Sequence, residues 1–150
     1  MVEIFTDGAC SGNPGKGGFG VVLKYNEHRK ELSQGFLMTT NNRMELMAVI
    51  VGLEALKTMD TEVTIWSDSK YVVDSVEKGW IWGWVKKDFK DKANPDLWKR
   101  YILVHNKHKV KFRWIKGHAG HPENERCDRL AVAAAHEPQL GIDEGFKKSV

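Results

Sequence analysis

Cysteine and proline are scarce in this chain, at two and four residues out of 150. Cys10 and Cys127 lie far apart and outside any C-x-x-C or Cys/His spacing, which excludes a disulfide framework and a structural zinc site. Long apolar runs are missing too. None approaches the roughly 20 residues that a membrane helix needs, and Met1 to Phe5 leads straight into a strand-like run instead of a signal peptide. A soluble, cytoplasmic protein with reduced thiols is expected. There is no internal repeat, low-complexity tract or interdomain linker. What is left, 41% of it hydrophobic, suffices for one domain burying about two thirds of its unfolded surface.

Net charge is only +3, but it is unevenly spread. Between Lys78 and Lys116 twelve Lys/Arg face three aspartates, so this stretch carries +9 and everything else −6. A basic lobe beside an acidic remainder suits a polyanion gripped by one part while carboxylates elsewhere hold cations. A solvated helix face gives the same pattern.

Residues 2–6, about 18–25 and about 31–38 read as strands of an antiparallel meander, the first two joined by the turn GACSGNPGKGG. NNRMELMAVIVGLEALKT follows as a mostly buried helix, EVTIW as a strand, and SDSKYVVDSVEKG as a short helix. The Trp/Lys segment to about 94 reads as helix and loop. Pro95 opens a further helix, VKFRWI alternates as a strand, and Pro122 opens the last helix, to about 136. The order β-β-β-α-β-α-α-β-α implies an α/β fold with one mixed sheet, the later strands added in parallel through helical crossovers. Residues 137–150 lack periodicity, so a loosely held tail is expected.

Four acids fall where a strand ends or a helix begins: Asp7, Glu45, Asp68 and Asp128. Each also has a plain reading. Asp7-Gly8 could be a turn pair, Glu45 the third-position acid of a cap begun by Asn42, Asp68 a helix cap, and Asp128 the ion-pair partner of Arg126, Arg129 or another base. Together they say more, because strand ends and helix starts converge in open sheets. Crowded carboxylates cannot all stay ionised without cations. Oxygen ligands without zinc spacing point to Mg²⁺ or Mn²⁺, and two such ions about 3.5–4 Å apart suit phosphoryl transfer.

The segments TDGAC (6–10), TNNRMEL (40–46), SDS (67–69) and KGHAGHPENERCD (116–128) closely resemble those of type 1 ribonuclease H of the bacterial kind, in order and spacing, from about residue 2 to 136. The resemblance implies a five-stranded mixed sheet with helices, and an endonuclease that cuts the RNA strand of RNA–DNA hybrids to leave 5′-phosphate and 3′-hydroxyl ends. It implies Asp7, Glu45, Asp68 and Asp128 as ligands of two Mg²⁺ ions, with Mn²⁺ able to substitute. His118 would assist proton movement or product departure. His121, before Pro122, is read as a structural cap.

By the same resemblance Cys10, Asn13, Asn41 and Glu45 would lie along the minor groove, where 2′-hydroxyls distinguish RNA. Thr40, Arg43 and Asn94 would form a pocket for a DNA phosphate, Arg43 giving a bidentate contact. The protrusion of about residues 78–98, with Trp80, Trp84, Lys86 and Lys87, would hold the DNA strand; packing against the body is the rival reading for its tryptophans. The chain departs from the bacterial pattern in a shorter protrusion interrupted by Asp88 and Asp91, and in Lys70, where a glutamine is usual. GNPGKGG is no P-loop, since no G-K-[ST] follows. A monomer acting on an RNA–DNA hybrid, without membrane contact, is expected. A two-metal nuclease or transposase acting on DNA, and a hybrid-binding module without chemistry, are the competing classes. The glycine-rich turn, TNNRMEL and the protrusion weigh against the first, and the four intact acids weigh against the second.

Overall fold

The computed structural model describes residues 1–117 and 120–146. Five strands, β1 (Val2–Ser11), β2 (Gly15–Tyr25), β3 (His28–Thr39), β4 (Glu62–Ser67) and β5 (Lys109–Trp114), form one sheet in the order β3-β2-β1-β4-β5. β1 to β3 pair antiparallel, and β4 and β5 add in parallel, the mixed sheet expected. The helices are α1 (Asn41–Glu54), α2 (Lys70–Glu77), α3 (Trp80–Lys86), α4 (Pro95–His105) and α5 (Pro122–Ala135). Three helices thus separate β4 from β5, the Trp/Lys segment supplying the middle one. Gly79, at a φ of 74°, turns the chain between α2 and α3. Among the described residues no helix is long and apolar enough to cross a membrane.

The glycine-rich segment is not mainly a turn. β1 continues to Ser11 and β2 already starts at Gly15, so the connection is short and the remaining glycines are strand residues. Two of them show why. A Cβ on Gly18 would stand 2.5 Å from the Ala131 carbonyl oxygen of α5, and one on Gly8 2.5 Å from the Glu45 backbone nitrogen of α1. Both helices therefore sit directly on strand backbone.

α1 packs on one face of the sheet and α5 on the other. Ile4, Val21 and Ile65 line the α1 face with Leu46, Ile50 and Leu53, all fully buried. An aromatic group of Tyr71, Trp84, Trp98 and Tyr101 joins α2, α3 and α4 by edge-on contacts. Its polar atoms are satisfied, since the Tyr71 hydroxyl accepts from the Trp98 indole N–H (2.8 Å) and the Asn94 amide (3.1 Å). On the outer face two bidentate pairs, Arg126 to Glu31 and Arg29 to Glu123, tie the start of α5 to β3.

The segment after α5 is not loose as far as residue 146. Gly141 pairs with β3 through Leu37 N–H to its carbonyl (3.0 Å) and its own N–H to Gly35 (2.9 Å). Asp143 then buries its carboxylate against Arg43 and Thr39. Neither tie leaves a periodic pattern in sequence.

Candidate active site

Asp7 lies inside β1, Asp68 just past the end of β4, Glu45 in the second turn of α1 and Asp128 in the second turn of α5. The plain readings of these acids give way to other residues. β1 runs through Asp7-Gly8 without turning, and Thr40, accepting from the Arg43 N–H at 3.2 Å, caps α1. Ser69, accepting from Val72 N–H, caps α2. Arg126 is engaged by Glu31, leaving Asp128 to the cleft.

Asp7, Glu45 and Asp68 each offer an oxygen within 4.8 Å of the others. One backbone N–H, that of Gly8, donates to both Asp7 Oδ1 and Glu45 Oε1 at 3.0 Å. The close seating of α1 on Gly8 brings those two acids together. Glu45 Oε2 is buried with no hydrogen-bond partner among the described residues. Burial is the main cause that pushes the Asp7 carboxyl up to about 7; a hydrogen bond with Glu45 lowers it, while Asp68 and Asp128 raise it further. Burial, then the charge of Asp7, holds Glu45 well above the ordinary carboxyl range. Such a group is expensive to ionise with nothing bound and favourable to ionise around a cation. Its orphaned oxygen and all-oxygen donors fit a hard divalent ion.

Asp128 completes an open cleft of about 410 Å³ with Asp7, Glu45, Asp68, Asn41 and Lys70. A narrower recess on its other side joins Asp7, Asp68 and Asp128 to Lys116, His121 and Asn124. His121 occupies the N-cap position of α5, but its side chain makes no capping bond and faces this recess instead, correcting the structural role expected for it. Asn124, for which no role was expected, has a buried Oδ1 without a partner among the described residues; only its place one turn before Asp128 could have singled it out. His118 lies outside the described residues.

Along the cleft rim the Asn13 amide oxygen accepts from the Asn41 N–H (3.1 Å), and the Cys10 thiol points at the carbonyls of Gly12, Gly15 and Thr39. Thr40, Arg43 and Asn94 do come together, yet Arg43 is not available for a bidentate phosphate contact. Its guanidinium, 2% exposed, spends its donors on Asp143, Asp96 and Asn94 at 2.7–3.2 Å. The acid that claims it lies 100 residues away, beyond the reach of a motif. In the protrusion Trp80 is exposed with Lys78 over its ring, whereas Trp84 leans on Trp98 and carries Lys92 on its face. Lys86 and Lys87 are exposed.

The RNase H family model matches residues 1–136. A ribonuclease H of Desulforamulus reducens is 58% identical over 147 residues, covering 95% of this chain and 92% of its own length. Among solved structures, LC9-RNase H1, a type 1 RNase H with the type 2 active-site motif, superposes with a TM-score of 0.81 at 35% identity, covering 89% of this chain and 71% of that one. LC11-RNase H1 in complex with an RNA/DNA hybrid superposes at 0.68 and 26% identity, covering 90% and 96%. The sheet order, the convergence of acids at its strand ends and these likenesses have one outcome: the chain belongs to the RNase H family.

Proposed function

We propose that this ribonuclease H cuts the RNA strand of RNA–DNA hybrids endonucleolytically, leaving 5′-phosphate and 3′-hydroxyl ends, with two Mg²⁺ ions held by Asp7, Glu45, Asp68 and Asp128 and with Mn²⁺ able to replace them. The observation that carries this reading is the gathering of three carboxylates within 4.8 Å, one with a buried oxygen that accepts from no described residue. When bound, the ions supply an activated water and charge stabilisation for the departing 3′-oxygen.

The chain's own residues then do the rest. Gly8 N–H orients the Asp7 and Glu45 carboxylates from behind. His118 moves a proton or eases product departure. Asn13, Asn41 and Cys10, on the rim, face the minor groove and its 2′-hydroxyls, the feature that marks RNA. Thr40 and Asn94 receive a DNA phosphate, Arg43 acting by holding Asn94 in place. Trp80, Trp84, Lys86 and Lys87 hold the DNA strand farther along. The complex of LC11-RNase H1 with an RNA/DNA hybrid supports this choice of substrate. We infer a monomer, since one chain carries all four acids, and a place of work in the cytoplasm, where the two thiols, unpaired with each other, stay reduced.

The test is cleavage of a hybrid labelled on its RNA strand, by parent and Asp7→Asn, with Mg²⁺ and with EDTA. Cleavage by the parent with metal alone supports the proposal. Tight hybrid binding without cleavage would refute it and leave a binding module.

A further inference from the structure

The sheet is covered unevenly on the face that carries α5. That helix packs over β1, β2 and β3, and the part built by β4 and β5 runs on beyond it. Register places Trp66 of β4 between Phe5 of β1 and Arg113 of β5. The Phe5 and Trp66 rings are stacked, planes 11° apart and centroids 6.0 Å apart, and the Arg113 guanidinium stands 5.8 Å over Trp66. Alternation along β5 turns Val110 and Phe112 to the core and leaves Lys109, Lys111 and Arg113 exposed together on the opposite side. Two acids share this face: Glu62 stands beside Lys109 in register, and Glu3 accepts from the Trp66 indole N–H at 3.1 Å. Glu3 is thus engaged, Glu62 is only a register neighbour of Lys109 with no ion pair to it, and Lys111 and Arg113 make no ion pair among the described residues.

This surface adjoins the carboxylates. Trp66 precedes Asp68 by two residues, and Lys116, just past β5, lines the recess that holds Asp7, Asp68 and Asp128. The corner of Arg43 and Asn94 belongs to α1 and α4, which pack together on the opposite face. A nucleic-acid strand passing the carboxylates therefore has a basic, aromatic exit along β5. In a duplex the base faces are already covered by their stacked neighbours, whereas unpaired bases have open faces that stack on aromatic rings and guanidinium planes.

We infer that the β4–β5 face binds a single-stranded continuation of the RNA strand, its bases stacking on the Arg113 guanidinium that Trp66 backs and its phosphates meeting Lys111 and Lys116. This rests on the hybrid-cleaving reading above. The substrates served would be hybrids whose RNA runs on unpaired past the duplex.

The experiment compares a blunt hybrid with the same hybrid carrying a single-stranded RNA extension, the two polarities made separately, for parent and the Lys111→Ser/Arg113→Ser double variant. The extension of one polarity should lower KM by about tenfold in the parent. The double variant should cleave the blunt hybrid as the parent does and gain nothing from the extension. No gain with either polarity in the parent, or a gain that survives in the double variant, overturns the inference. Anisotropy of the same labelled hybrids reads the extension's effect on binding even without hydrolysis. Absent cleavage of the blunt hybrid would refute the ribonuclease reading separately.

Discussion

Asp7→Asn replaces a carboxylate that is costly to ionise in the fold until a cation arrives. The Asp7 carboxyl is pushed from 3.8 to about 7, chiefly by burial, a gap worth about 4 kcal/mol against the charged form above neutral pH. Glu45 shares that burden across their hydrogen bond, so removing one carboxylate should recover part of it, about 2 kcal/mol. For a chain of 150 residues this raises Tm by about 4–8 °C. The sign follows from linkage: a carboxyl raised in the folded state favours folding below its unfolded value, and that advantage is lost as pH rises through about 7. Parent and variant should therefore melt together below about pH 4, separate progressively as pH rises from there to about 7, and stay apart above it. The assay is thermal unfolding by circular dichroism in EDTA across that range, repeated with Mg²⁺, which should stabilise the parent more than the variant. Hydrolysis of hybrid should be lost throughout. A variant that melts below the parent near pH 8 in EDTA would refute the reasoning.

Asp143→Ala should leave the buried Arg43 with Asp96 as its one remaining carboxylate, costing about 3 kcal/mol in urea unfolding; a loss under about 0.5 would mean the pair is idle. Gly18→Val forces a side chain against the α5 backbone and should cost about 3 kcal/mol or prevent folding, an outcome that a wild-type melting curve would contradict. Neutralising Lys86, Lys87 and Lys90, all exposed, should weaken hybrid binding and flatten its log-log salt slope by about 2–3. An unchanged slope would remove the protrusion from the DNA path.

Periodicity made the sheet legible because its strands alternate and its long helices carry apolar faces. Pro95 and Pro122 marked the starts of α4 and α5 correctly. The four acids could be picked out as a set, and the structure gathers three of them and lines the same cleft with Asp128. The failures have physical causes. Glycines that serve close helix packing look like turn residues, so the ends of β1 and the start of β2 were misplaced. Gly141 binds β3 through backbone atoms alone, which no side-chain pattern records. Arg43 reads as a phosphate ligand until its distant partner Asp143 is brought beside it in space.

The direct seating of α1 on Gly8 and α5 on Gly18 means that main-chain atoms, not packed side chains, set the height of both acid-bearing helices above the sheet. Main-chain dimensions do not vary with residue type. Core side chains can be exchanged for others of similar volume without moving Glu45 or Asp128 relative to Asp7, so the hydrophobic interior is free to diverge while the spacing of the acids stays the same.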